Sequence, residues 1–143
     1  MQTRAVIAKI SKAKMHDKKF LQYLNPLKGS MLAFDKAYNY YRQFAEWTEE
    51  DVYSVYRLKD NAKAEVQEVL FEIPLGKDEQ GVYRIEHIHL KYKKEKQEKI
   101  LCLRMVYYLY EQGRKYKFIT NNWDITAEEV ALIYKTAYLL RAS

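Results

Sequence analysis

The sequence has almost no cysteine, no long apolar run, and no evident internal repeat or disordered linker. Its one cysteine, Cys102, excludes a disulfide bond within the chain, and the leucines on either side predict a buried, unreactive thiol in a reducing compartment. No segment approaches the roughly 20 apolar residues of a membrane-spanning helix. Residues 1–9 lack the apolar core of a signal peptide. These absences predict a cytoplasmic protein without a membrane partner.

Basic residues outnumber acidic residues in this chain of 143 residues. Lys and Arg number 25 against 19 Asp and Glu, which gives a net charge of +6 and an isoelectric point near 9.2. This balance favours polyanionic partners such as nucleic acid, although many basic proteins bind none. The length corresponds to one domain, or to one core that carries an insertion.

The first 62 residues follow the order of an α/β protein. Apolar runs at residues 5–10, 31–34 and 52–58 predict strands, and Asp17 is placed to cap a helix that Asn25 and Pro26 end. A second helix is predicted from near residue 38 to about residue 50. Asp35 is the last residue of the second predicted strand. Because ligands in α/β folds bind at the carboxyl ends of strands, Asp35 is a candidate site residue.

From residue 63 the pattern changes to alternating β-branched and aromatic residues. It predicts four antiparallel strands in a sheet of their own, at residues 66–73, 82–90, 101–110 and 116–120. Residues 91–99 are predicted to form an exposed, mobile hairpin loop, since lysines and glutamates are interleaved there. Thr126 and Glu129 form the capping-box pattern of a final helix. Its buried stripe is predicted at residues 130, 133, 134, 137 and 138.

Several polar positions have a structural explanation beside a functional one. Asp35 could cap the helix that follows it, because free amide groups stabilise an acid near a helix N-terminus. His87 and His89 share one strand face with a spacing that a metal ion could use. No cysteine or third histidine is near them in the sequence, so a solvated strand face is predicted. His16 beside Asp17 is predicted to serve local helix capping.

Several short motifs occur in the order found in the DDE transposases of bacterial insertion sequences, which the chain resembles. Residues 34–38, FDKAY, are similar to the family's Phe-Asp-Arg-Gly-Tyr pattern around its second catalytic Asp. Residues 16–21, HDKKFL, are similar to its His-Asp-x-x-Phe-Leu helix start, and residues 57–59, RLK, to its Arg-x-Lys strand exit. Residues 120–122, TNN, also resemble this group. The likeness covers nearly the whole chain.

The resemblance implies a partial ribonuclease-H-like α/β core with an antiparallel β-rich insertion before the last helix. Residues 1–62 would form the core, 63–123 the insertion and 124–143 the helix that returns to the core. Enzymes of this family use three acids to hold two Mg²⁺ or Mn²⁺ ions that clamp the attacking and leaving oxygens. Asp35 matches the second acid and is therefore the implied catalytic and metal-binding residue. The first acid would lie N-terminal to the residues present here.

The third acid of the family belongs to a Tyr-x2-Arg-x3-Glu-x6-Lys motif on the final helix. Tyr134 matches its Tyr, but Ala137 stands at the Arg position and Arg141 at the Glu position. The Lys position lies beyond Ser143. A guanidinium in place of a carboxylate removes a ligand and adds a charge that repels cations. No metal is therefore expected to bind productively.

The predicted function is that of a truncated, inactive DDE transposase of an insertion element. By resemblance, Tyr134 contacts a DNA phosphate, and Arg57 and Lys59 lie beside the active site. Weak, sequence-independent DNA binding is expected. The alternative is a stand-alone basic nucleic-acid-binding module in residues 63–123. An active nuclease that uses another set of acids is the least favoured interpretation, and the sequence predicts no oligomeric state.

Overall fold

A computed structural model describes residues 7–36, 40–58, 63–76 and 80–139 of the chain. The strands are β1 (Ile7–Ile10), β2 (Met31–Lys36), β3 (Tyr53–Arg57), β4 (Glu65–Glu72), β5 (Gly81–Lys94), β6 (Gln97–Leu109) and β7 (Lys115–Thr120). The α-helices are α1 (Lys12–Met15), α2 (Lys18–Tyr23), α3 (Tyr41–Glu49) and α4 (Ala127–Tyr134), and α4 continues as a π-helical segment, Lys135–Leu139. No helix in these ranges is long and apolar enough to cross a membrane.

All seven strands belong to one mixed sheet, in the order β1-β2-β3-β7-β6-β5-β4. Strands β1, β2 and β3 are parallel neighbours, as is typical of the α/β order predicted for the first 62 residues. Strand β7 is antiparallel to both β3 and β6, and β5 and β4 extend the antiparallel part. The prediction of a separate antiparallel sheet is therefore wrong. Strand β7 satisfies the backbone groups of β3 that would otherwise remain unpaired at an edge.

Hydrophobic side chains cover both faces of the central strands. On one face α3 packs on β2 and β3, where the rings of Phe44 and Tyr56 stack with centroids 4.5 Å apart. On the other face α4 packs on β3 and β7, where the rings of Phe118 and Tyr134 lie 4.6 Å apart. Successive residues of a strand point to opposite faces, so a strand covered on both sides needs a continuous apolar run. The molecule is an α/β protein with a mixed seven-stranded sheet.

The helix starts follow the capping chemistry of the sequence. The Asp17 carboxylate accepts hydrogen bonds from the amides of residues 19 and 20 at 3.0 and 3.1 Å, which confirms the predicted cap of α2. Thr126 begins α4 with the reciprocal hydrogen bonds of a capping box, also as predicted. His16 is the C-cap residue of α1. The N-cap of α3 is Tyr40, so the interpretation of Asp35 as a helix cap is wrong.

Strands β5 and β6 form a long hairpin through residues 91–99, where the sequence predicted a mobile loop. The register pairs residue 94 with residue 97, and the turn consists of Glu95 and Lys96 alone. Both have positive φ, 53° and 65°, as a two-residue turn that continues the strand twist requires. Asn and Gly are the usual residues at such positions. Neither occurs here, so the sequence carries no turn signal at these positions, and the mobile loop predicted from the interleaved charges is wrong.

Candidate functional site

Three residues singled out in the sequence meet at the carboxyl ends of β2 and β3. Asp35 lies near the end of β2, Arg57 ends β3, and Tyr134 ends α4. The Asp35 Oδ1 atom accepts hydrogen bonds from Arg57 Nη2 at 3.0 Å and from the Tyr134 hydroxyl at 2.9 Å. The carboxyl ends of neighbouring parallel strands lie side by side, which brings Asp35 and Arg57 together. We call these three residues the Asp35 cluster.

Tyrosine hydroxyl groups fix the final helix against this edge of the sheet. The Tyr134 ring is buried, and its hydroxyl also lies 3.3 Å from the carbonyl oxygen of Asp35. In the π-helical segment, the Tyr138 hydroxyl lies 2.8 Å from the carbonyl oxygen of Ile10 and 2.7 Å from that of Ala33. The end of the helix is thereby held over the ends of β1 and β2.

The electrostatics of the Asp35 cluster keep every hydrogen bond donor protonated. Burial, followed by the hydrogen bond to Asp35, raises the pKa of the Tyr134 phenol above its ordinary value. Burial lowers the pKa of the Arg57 guanidinium, but its interactions with Tyr134 and Asp35 outweigh burial and leave that pKa raised. The guanidinium also lies over the rings of Tyr116 and Tyr134, at 5.6 and 5.8 Å from their centroids. Arg57 is therefore a permanent cation that balances the Asp35 carboxylate.

The surroundings of Asp35 differ from those of a two-metal site. Within the described ranges, no group of three or more potential metal ligands includes Asp35. Two-metal phosphoryl transfer needs several carboxylates around the ions, whereas the near neighbour of Asp35 Oδ1 is a guanidinium nitrogen at 3.0 Å. In this arrangement the cation beside the Asp35 carboxylate is the guanidinium of Arg57. Lys59 and Arg141, the other basic residues of interest, lie outside the described residues.

A cleft of about 510 Å³ opens beside the Asp35 cluster, and Arg57 contributes to both. Three lysines complete its basic lining: Lys36 at the end of β2, and Lys115 and Lys117 at the start of β7. Both lysines of β7 are exposed. One acid, Glu86, belongs to the described lining. We call this feature the basic cleft.

The acid in the basic cleft is already satisfied by hydrogen bonds. Glu86 is 2% exposed, and its carboxylate accepts from Arg84 Nε at 2.6 Å and from the Tyr107 hydroxyl at 2.7 Å. Burial, and after it the hydrogen bond to Glu86, raises the pKa of Tyr107, so this hydroxyl remains a donor. Arg84 also pairs with Glu72. The one acid in the described lining of the cleft therefore already has hydrogen-bond partners of its own.

Sequence reasoning missed the lysines of β7. Lys115 and Lys117 alternate with Tyr116 and Phe118, and this alternation puts both lysines on one face of a strand. Their position beside Arg57 depends on the pairing of β7 with β3, in which Arg57 lies opposite Phe118. No signal in the sequence indicated that pairing, so the alternation alone could not place them at the site.

A second group of polar side chains lies on β5 and β6 and shares no residue with the basic cleft. The potential ligand atoms of His87, His89 and Cys102 all lie within 4.8 Å of one another. The sequence predicts a solvated strand face because no cysteine is near these histidines along the chain, but the hairpin register pairs His89 with Cys102. The prediction of a buried thiol is wrong: Cys102 is exposed. Its two leucine neighbours point to the opposite face of β6 and are buried.

A comparison of the chain with models of protein families, with curated proteins and with solved structures found no match. The fold defines an α/β protein with a mixed seven-stranded sheet. Its candidate sites are the Asp35 cluster with the adjoining basic cleft, and the histidine and cysteine group of the long hairpin.

Proposed function

We propose that this chain is a non-catalytic relative of the DDE transposases that binds the phosphate backbone of DNA in the basic cleft. The observation that carries the proposal is the lining of that cleft, in which three lysines, together with Arg57 that pairs with Asp35, face one acid that is already hydrogen-bonded. Clefts lined by one sign of charge attract ions of the opposite sign. Lysine and arginine side chains that neutralise DNA phosphates also release bound counterions, which favours association.

The relation to DDE transposases rests on motifs and on their arrangement. The resemblance implies an acid at a strand end with the final helix beside it. Asp35 occupies such a position at the end of β2, and α4 reaches it through Tyr134. The parallel order of β1, β2 and β3 supports a partial ribonuclease-H-like core as part of the same proposal.

The proposed lack of catalysis follows from the partners of Asp35. A carboxylate that bridges two metal ions needs oxygen ligands around it, and its own lone pairs must be available. Here Oδ1 accepts hydrogen bonds from Arg57 and Tyr134. A cation that approached this oxygen would have to displace a guanidinium that is held by two aromatic rings as well. The cluster is thus suited to stabilise the end of the sheet and to present Arg57 to the cleft.

The alternative, a stand-alone nucleic-acid-binding module in residues 63–123, receives less support. Strand β7 falls inside this segment and pairs with β3 outside it. An isolated segment would leave β7 with an exposed edge and would expose the apolar face on which α4 packs. The basic cleft also needs Lys36 and Arg57, which lie before residue 63.

The proposal is tested by titrating fluorescent duplex DNA with the protein at about 50 and about 200 mM salt, where each phosphate contact contributes a slope of about 0.9 in log affinity against log salt. The double variant Lys115→Ala/Lys117→Ala should weaken binding and reduce that slope for every DNA sequence tested. The control is Lys93→Ala/Lys99→Ala, which removes the same charge from exposed positions on the long hairpin. This control should bind like the unmodified protein.

Two results would overturn the proposal. One is equal loss of affinity in the cleft variant and the hairpin control, because binding would then follow net charge and not the cleft. The other is DNA binding that is undetectable at low salt or does not change with salt. Circular dichroism of both double variants checks that the fold is retained.

A further inference from the structure

The long hairpin brings together three side chains that ligate transition metals. His87 and His89 lie on β5 and Cys102 on β6, and their potential ligand atoms are within 4.8 Å of one another. The register pairs residue 89 with residue 102 and residue 87 with residue 104. Paired residues of an antiparallel hairpin project from the same face, so both imidazoles and the thiol share one face.

The chemistry of these ligands selects a borderline or soft divalent cation. Imidazole nitrogen and thiolate sulfur are the usual ligands of Zn²⁺, whereas Mg²⁺ and Ca²⁺ prefer oxygen. With Zn–N near 2.05 Å and Zn–S near 2.3 Å, ligand atoms in a tetrahedron lie about 3.3 to 3.6 Å apart. The three side chains need to close by at most about 1.5 Å, which rotation about their side-chain torsions can supply.

The ligand atoms are accessible and are not engaged elsewhere. Cys102 is exposed, and both histidines are half-buried. No hydrogen bond to either imidazole occurs in the part of the chain that the structure describes; their contacts are with aromatic rings. The two imidazole centroids are 5.1 Å apart, and the Trp123 ring meets His87 edge-on at 5.6 Å. Trp123 thus covers part of His87, whose potential ligand atom still lies within 4.8 Å of those of His89 and Cys102.

One neighbouring cation, Arg104, could oppose a metal ion, since it lies opposite His87 in the register. Its guanidinium is held elsewhere. Arg104 Nη2 donates to the carbonyl oxygens of Asn122 and Ile125, at 2.8 Å each, and the group lies 6.0 Å from the centre of the Trp123 ring. The positive charge therefore points to the loop before α4 and is balanced by carbonyl dipoles.

We infer that His87, His89 and Cys102 form a binding site for one Zn²⁺ ion, with a fourth coordination position open to solvent. A site with three protein ligands leaves room for a water molecule, in contrast to the closed four-ligand sites that only stabilise a fold. The ion would also cross-link β5 and β6 in the middle of the long hairpin. This site is independent of the proposed DNA-binding cleft, because the two share no residue.

The test is a titration of the reduced full chain with Zn²⁺ in competition with a chromophoric chelator, together with a parallel titration with Co²⁺. One Zn²⁺ per chain is expected, and Co²⁺ should produce a thiolate-to-metal charge-transfer band and the intense d–d bands of a tetrahedral site. Removing one ligand, in His89→Ala or Cys102→Ser, should weaken Zn²⁺ binding by at least about tenfold. Even the loss of a residue that only hydrogen-bonds to a metal ligand lowers metal affinity by about 10 to 100-fold. Cys102→Ser should also abolish the charge-transfer band.

His16→Ala is the matched control, because His16 is the third histidine of the chain and lies on the exposed end of α1. It should leave the affinity and the spectrum unchanged. The inference fails if Cys102→Ser and His89→Ala bind Zn²⁺ like the unmodified chain, or if the Co²⁺ complex lacks the thiolate band. A stoichiometry of one ion per two chains would also overturn it, because the ion would then bridge two molecules. Circular dichroism shows whether each variant keeps its fold.

Discussion

Two buried tyrosines differ in the partners of their hydroxyl groups. The Tyr134 hydroxyl donates to the Asp35 carboxylate at 2.9 Å, whereas the Tyr56 hydroxyl is buried without a hydrogen bond partner among the described residues. Burial raises the pKa of both phenols, so both hydroxyls are neutral at ordinary pH. A buried hydroxyl without a partner destabilises the folded state, while one that binds a carboxylate stabilises it.

We therefore expect opposite effects from removing the same atom at the two positions. Tyr134→Phe should lower the free energy of unfolding by about 1 to 2 kcal/mol, because a hydrogen bond to a charged group is lost and the ring remains. Tyr56→Phe should be neutral or stabilising by up to about 1 kcal/mol. Urea unfolding followed by circular dichroism measures both. Equal destabilisation by the two substitutions would contradict the assigned role of the Asp35 cluster.

At the residue scale, the sequence predicted part of the candidate site. Asp35 follows from the rule that ligands bind at the carboxyl ends of strands, whereas Arg57 and Tyr134 follow only from the family resemblance. Cys102 was missed because its flanking leucines suggested burial on both sides, although a strand residue faces away from its neighbours. The association of Cys102 with His89 depends on the hairpin register. That register is fixed by a turn whose residues, Glu95 and Lys96, lack the usual Asn-Gly signal.

At the scale of elements, one buried side chain joins the two parts of the sheet. Asn121 follows β7; its Oδ1 accepts from the backbone amide of Ser54 at 2.8 Å, and its Nδ2 donates to the carbonyl of Val52 at 3.0 Å. It also donates to the Thr48 hydroxyl at 2.8 Å. The side chain thereby connects the end of α3, the start of β3 and the end of β7.

Asn121→Ala is expected to lower the free energy of unfolding by about 3 kcal/mol, since it leaves buried backbone groups of residues 52 and 54 unsatisfied. Asn25→Ala serves as the control at an exposed position, where a change within about 0.5 kcal/mol is expected. Chemical unfolding of the two variants makes the comparison. A loss below about 1 kcal/mol in Asn121→Ala would mean that water or a local shift replaces these hydrogen bonds.

The capping box of α4 makes a pH-dependent contribution to the free energy of unfolding, and its sign can be stated. The hydrogen bond from the Thr126 backbone amide, and after it the Thr126 side chain, lower the pKa of the Glu129 carboxyl below its ordinary value. Because the folded pKa is the lower one, this stabilisation is complete above the unfolded carboxyl pKa of about 4.3 and is lost as the pH falls through the folded pKa. Glu129→Gln should therefore be less stable than the unmodified chain at neutral pH, and the difference should shrink in acid. Thermal unfolding at several pH values measures this difference in stability between Glu129→Gln and the unmodified chain. A difference that does not change with pH would contradict the role of the Glu129 carboxylate in the capping box.

The helices and their caps could be predicted from the sequence better than the long hairpin. Asp17 and Thr126 stand at N-caps with side chains that satisfy free amides, so local chemistry decides both positions. The hairpin depends on cross-strand pairing between β5 and β6, which overrides the preference of interleaved lysines and glutamates for a loop. The charge pattern therefore failed as a predictor where cross-strand pairing determines the structure.

At the scale of the whole molecule, the purified chain is expected to be catalytically silent. No strand cleavage or joining should occur with Mg²⁺ or Mn²⁺ on DNA that carries insertion-element ends, since Asp35 is paired with Arg57. Gel analysis of end-labelled DNA measures this. Cleavage that Asp35→Ala abolishes would show that a complete metal site assembles around Asp35 and would contradict the proposal.

The α/β order of the first half was predictable because short connections and crossovers leave few arrangements of β1, β2 and β3. The joining of both halves into one sheet could not be predicted in this way. The alternating side chains of β7 would fit any antiparallel neighbour. The pairing of β7 with β3 depends on which edge strand is free after the first three strands assemble. The prediction of two sheets followed from pattern alone.

The pairing of β3 with β7 has a consequence for how the chain folds. Strands β5, β6 and β7 follow one another as local hairpins, whereas Ser54 and Asn121, which meet at this junction, are 67 positions apart. Local contacts form early, and closing a long loop carries an entropic cost before its contacts form. We expect the junction to form late, after the two halves are partly assembled, so that Asn121→Ala mainly accelerates unfolding and leaves the refolding rate nearly unchanged. Stopped-flow kinetics in urea would show this as a shift confined to the unfolding limb, and a slower refolding limb would place the junction in the folding nucleus.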